Sequence, residues 1–181
     1  MNRRFLLLLM IVAFVGAFAV SCVDEAKDSR SVVTVTSIND NAPLNSDVIT
    51  DTMTVVEDQV TVVFYNRPYS QLVVTGPNLP FNDYIVTRYQ VDFTRLDGNP
   101  SVPPSFNAAM SVNVASTEFA VATIKLVPAG HKEIPPLLAL ATMPGGIEMI
   151  ATVTFFGSEV GISHETSFQA SISVAAANFG G

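Results

Sequence analysis

The chain of 181 residues has one cysteine, two histidines and no tryptophan, and only nine basic residues against 16 acidic ones. Each shortage excludes something. A lone thiol makes no internal disulfide, and without Trp as well the core of an antibody-type immunoglobulin domain is missing. His131 and His164 show no His-x-His or His-Glu-x-x-His spacing, so a histidine-built metal site has no framework, and each reads as an exposed loop residue. The few basic side chains are scattered and form no stripe, which with the acidic balance excludes nucleic acid as a partner. Gly-x-Ser-x-Gly is absent, as is any glycine-rich phosphate loop. No internal repeat or second domain is evident.

What is present begins with a leader. Arg3 and Arg4 precede an almost unbroken apolar run from Phe5 to Val20, which leads through Ala19-Val20 into Ser21-Cys22. A run of about 16 residues suits a signal core and falls short of the roughly 20 that cross a bilayer. Ser21-Cys22 after small residues resembles the lipobox of bacterial lipoproteins, although Ala19 stands where leucine is usual. The resemblance implies cleavage before Cys22, lipidation of its thiol and anchoring in the cell envelope, in the outer membrane where the organism has one. Lipidation would leave no thiol for a nucleophile, a thiolate zinc site or an iron–sulfur cluster. It would also explain a single cysteine in an exported, oxidising setting. The expected division is 1–21 signal peptide, 22–31 polar tether and 32–181 folded domain. Without the leader, seven basic residues face the 16 acidic ones, a formal charge of −9.

From Val32 onward the pattern is strand, turn, strand. Val60, Val62 and Phe64 share one face of Gln59–Tyr65, and Tyr89, Val91 and Phe93 point inward from Tyr84–Arg95. Met110–Val114 and Phe119–Val127 follow, the latter with an apolar phase slip near Ala122 that suggests a β-bulge. Ile147–Phe156 and Thr166–Val174 read as a closing hairpin. Lys132–Ala141, with Pro135-Pro136 near its start, is the one candidate helix, with Leu137, Leu138 and Leu140 covering an end of the domain. The expected fold is all-β: a single antiparallel, immunoglobulin-like β-sandwich with one short helix.

Two groups stand out as candidate sites. Ile38-Asn39-Asp40-Asn41-Ala42-Pro43 resembles the calcium linker of cadherin repeats, which implies Asn39, Asp40 and Asn41 as oxygen ligands. The sequence departs from that pattern at Ser37, where the family has aspartate, and lacks its partner acidic motifs. Asn-Asp-Asn-Ala-Pro is also ordinary turn chemistry, the preferred reading. The second group is Tyr65, Arg67, Tyr69 and Tyr84 around the Asn66–Asp83 loop, aromatics suited to stacking on sugar rings or anchoring a protein. The expected function is a non-enzymatic, lipid-anchored envelope protein whose sandwich meets another protein or a surface polysaccharide. A carbohydrate- or calcium-binding module is the alternative, and an envelope hydrolase with spatially assembled acids the third reading.

Overall fold

The computed structural model describes residues 31–68 and 82–179, so Cys22 and Tyr69 lie outside the described residues. Eight strands follow one another: β1 (Ser31–Ile38), β2 (Leu44–Asp47), β3 (Asp58–Pro68), β4 (Tyr84–Arg95), β5 (Phe106–Val114), β6 (Phe119–Val127), β7 (Gly146–Glu159) and β8 (Thr166–Ala177). They form a three-stranded sheet, β1-β3-β6, and a five-stranded sheet, β2-β8-β7-β4-β5. The result is an all-β sandwich. Its order is immunoglobulin-like: the first, second and fifth long strands share one sheet, and in the other the last strand pairs with the one before it, which pairs with the third long strand.

The alternating residues of each strand explain which faces meet. Val60, Val62 and Phe64 from β3 pack against Tyr89, Val91 and Phe93 from β4 and Met149, Ala151, Val153 and Phe155 from β7. Phe64 meets Phe155 edge-on at 5.0 Å, and Phe155 stacks on Phe168 at 5.6 Å. Opposite a bulge in β4 between Val86 and Arg88 lies Gly157. A Cβ there would fall 2.2 Å from the Ile85 carbonyl oxygen, so only glycine allows β4 and β7 to approach this closely.

Several expectations need correction. The sheets are not wholly antiparallel, because β2 runs parallel to β8 over Leu44–Asp47 and Val174–Ala177. Ser31, expected in the tether, already pairs with Pro68. In place of one helix over Lys132–Ala141 there are two short turns, α1 (Ala129–Lys132) and α2 (Leu137–Leu140). The intervening prolines lack the N–H groups that a continuous helix would use. Leu137 and Leu140 are buried beneath them and Leu138 is exposed.

The bulge expected near Ala122 is also absent. Register with β3 runs unbroken from Phe119 to Lys125 and slips only beyond it, opposite Asp58 and Gln59. The apolar phase changes because Phe119 and Val121 face solvent, while Ala120, Ala122, Ile124 and Leu126 pack on the core.

Candidate functional site

Between β1 and β2 the chain leaves one sheet for the other, and Asn39-Asp40-Asn41 makes that passage. All three residues are left-handed, with φ of 51°, 51° and 61°. Short polar side chains tolerate this region best, which is why such a segment reads as a turn. The Ala42 N–H donates to the Asn39 carbonyl at 2.9 Å. Asn39 Nδ2 donates to the carbonyls of Ala42 at 3.1 Å and Pro43 at 3.3 Å. The Asn39 amide is thus engaged in holding the turn, and Asp40 and Asn41 are exposed. Among the described residues no three acidic, histidine or cysteine side chains gather closely enough to hold a metal ion. One carboxylate and two amides fall well short of the six to eight oxygens that calcium takes. Beside the turn lies an open groove of about 330 Å³ between Ile38, Asn41–Pro43 and the β8 residues Ser171–Ser173, just before β8 gains β2 as a neighbour.

The tyrosine group divides. Tyr65 and Arg67 lie on the outer face of the three-stranded sheet, two residues apart on β3 and therefore on the same side. Tyr84 is a core residue, 4% exposed. Its hydroxyl lies 2.6 Å from Thr166 Oγ1 and 3.3 Å from the Thr166 carbonyl, its ring meets Phe168, and burial raises its pKa. A side chain so enclosed contacts no external ligand, which corrects its assignment to a binding surface.

Tyr65 instead has a partner that the sequence pattern hid. It stacks on Phe119 of β6, directly opposite in the ladder, with ring centroids 4.6 Å apart and planes inclined by 29°. Phe119 is 63% exposed and Val121 beside it 65%. Val63 faces Val121 across the same ladder, and Arg67 and Val32 pair at one margin. At the other margin Lys125 meets Glu57 at 2.7 Å. That pairing lowers the Glu57 pKa and raises the Lys125 pKa. The outcome is an aromatic and aliphatic patch on the outer sheet face, with charge, among the described residues, only at its ends.

Two further polar features escaped sequence reasoning. Lys132, in α1, is 1% exposed. Its Nζ donates to the Asp47 carbonyl at 2.6 Å and to Asp58 Oδ1 at 2.9 Å, and Ser46 Oγ donates to Asp58 Oδ2 at 2.5 Å. These contacts join β3 in one sheet to β2 in the other. His131, expected in an exposed loop, is half-buried in α1. It lies edge-on to Phe106 at 5.3 Å and to Phe93 at 6.4 Å, and burial lowers its pKa.

In comparisons with known proteins, the chain matches no family model and no curated protein significantly. Its fold and surfaces therefore carry the functional reading.

Proposed function

We propose that this is a lipid-anchored protein of the bacterial cell envelope, held by Cys22, whose sandwich binds an envelope protein or surface polysaccharide without catalysing a reaction. The observation that carries the binding reading is the stacked, solvent-facing pair Tyr65–Phe119 with Val121 beside it. Exposed aromatic patches on otherwise folded domains mark interaction surfaces, and ring faces offer large contact area at low entropic cost. Arg67 on the same face adds a donor suited to sugar hydroxyls or carboxylates, and favours a polysaccharide as the second form of the reading. The anchoring half rests on the leader and the lone cysteine.

Full-length wild type, Cys22→Ala and Phe119→Ala, expressed in a bacterial host, test both halves. Wild type and Phe119→Ala should carry a lipid-sized mass increase and sediment with membranes, both lost in Cys22→Ala. In co-sedimentation with isolated envelope polymer or membrane proteins, wild type should be retained and Phe119→Ala released. Unlipidated wild type would remove the anchor, and equal retention of wild type and Phe119→Ala would remove the patch.

A further inference from the structure

β6 is an edge strand, and the direction of its backbone groups can be read. In an antiparallel ladder alternate residues turn both N–H and C=O toward one neighbour. Just beyond β6, the Glu118 carbonyl accepts from the Asn66 N–H of β3, so even-numbered residues bond inward. At the far end, Lys125 turns outward. Its N–H donates to the Tyr89 hydroxyl at 3.1 Å, and that hydroxyl donates to the Lys125 carbonyl at 3.2 Å. Register is continuous between these points. The N–H and C=O of Phe119, Val121 and Thr123 therefore point away from β3, and within the described residues β6 has no other strand neighbour.

Edge strands are commonly blunted by proline, lysine, bulges or covering segments. Over Phe119–Thr123 none of these is present among the described residues: the run is Phe-Ala-Val-Ala-Thr, and Lys125 lies beyond it. Tyr89 closes the ladder at Lys125, which limits the open stretch to three outward residues. That stretch is symmetric about Val121.

We propose that β6 pairs with β6 of a second copy of this chain, antiparallel about a two-fold axis at Val121. In that register Val121 faces Val121, and Phe119 faces Thr123 in each direction. All three outward pairs of N–H and C=O groups on both edges are then satisfied, and the two three-stranded sheets become one of six strands. Charge agrees with this orientation: Lys125, exposed on the face of Phe119 and Val121, ends the strand. Antiparallel pairing sets Lys125 of one copy opposite Thr117 of the other and keeps the two ammonium groups at opposite ends of the seam, whereas in-register parallel pairing would set them side by side. The two Tyr65–Phe119 stacks would share one broadened face. Isologous contacts of this kind close on themselves and stop at the dimer. The inference stands apart from lipid anchoring and from any polymer ligand.

The test uses the full-length chain in detergent, with mass read by sedimentation velocity over a range of concentrations. Wild type should be dimeric. Val121→Pro removes an outward N–H that the fold does not use, and Val121→Lys adds a charge at the axis. Both should be monomeric at concentrations where wild type is dimeric, with the melting transition retained. Val121→Cys should give a disulfide-linked dimer under mild oxidation, since directly opposed strand residues lie about 5.5 Å apart at Cα. Thr61→Cys, on β3 of the same face, should not exceed the wild-type background. A monomeric wild type, as an unrelated partner strand would require, overturns the proposal. So do dimers that survive both Val121→Pro and Val121→Lys, or equal cross-linking at Thr61→Cys.

Discussion

The two outer faces of the sandwich treat exposed aromatics in opposite ways. On the five-stranded sheet, Phe156 is covered by the Arg88 guanidinium, 3.6 Å above its ring, and Arg88 is held in turn by Glu165 at 2.7 Å. Around it runs a lattice of small polar side chains: Gln169 donates to Thr154 at 3.0 Å, and the hydroxyls of Thr152 and Ser171 are 3.3 Å apart. On the three-stranded sheet Phe119 has no such cover among the described residues, and its neighbours there are Tyr65 and Val121. A cation over a ring hides apolar area from other molecules while keeping the surface wet. One face is thus finished as a solvated surface and the other is left able to make contact.

The largest expected effect comes from breaking what the two sheets share. Lys132→Met would leave the Asp58 carboxylate without its ammonium partner in a mostly buried site, and should cost about 3 kcal/mol in urea unfolding. Lys132→Met with Asp58→Asn should recover part of that loss, since no charge is then stranded. Recovery of none would mean that packing rather than charge holds the joint.

A smaller effect sharpens the contrast of the faces. Phe119→Ala should change stability by only about 1 kcal/mol, the worth of an exposed cross-strand aromatic pair, yet lower binding of a hydrophobic dye. Arg88→Ala should raise dye binding by uncovering Phe156, and Ser171→Ala should alter neither property. Equal dye responses to Phe119→Ala and Ser171→Ala would erase the difference between the faces.

The smallest effect is a pH dependence. Burial among Phe93 and Phe106 lowers the His131 pKa below its ordinary value of 6.5. The unfolded chain therefore takes up a proton before the folded one does. Stability from this source is complete above about pH 6.5 and declines as pH falls through that value toward the folded pKa. His131→Leu should flatten the melting temperature between pH 7 and pH 5. The carboxylates with lowered pKa, Glu57 beside Lys125 and Asp97 beside Arg95, act in more acidic solution. A slope unchanged in His131→Leu would assign the dependence elsewhere.

Strand periodicity made much of the sandwich legible. The inward residues of β3 and β4, and the β7–β8 hairpin, follow from alternation alone, because each has one buried and one solvated face. β2 was not legible: Leu-Asn-Ser-Asp is too short and polar for a periodic signal, and only its parallel pairing with β8 makes it a strand. β6 misled for the opposite reason. Phe119 and Val121 are apolar but face outward, so alternation alone places them in the core and hides the exposed patch. The network of Lys132, Asp58 and Ser46 spans distant positions with no local signature. Tyr65 and Tyr84 looked alike in sequence because composition does not record which side of a strand a tyrosine occupies.

The parallel pairing of β2 with β8 has a kinetic consequence. Leu44 and Val174 stand near opposite ends of the described domain, so this contact closes most of that domain into one loop. The β7–β8 and β4–β5 pairings need only short closures and can form early; the β2–β8 pairing cannot begin until the last strand is available. High sequence separation of this kind slows folding toward the millisecond-to-second range of β-sandwiches. A chain emerging N-terminus first would hold β2 without this strand neighbour until Ala177 has appeared, so closure of the sheet waits on β8.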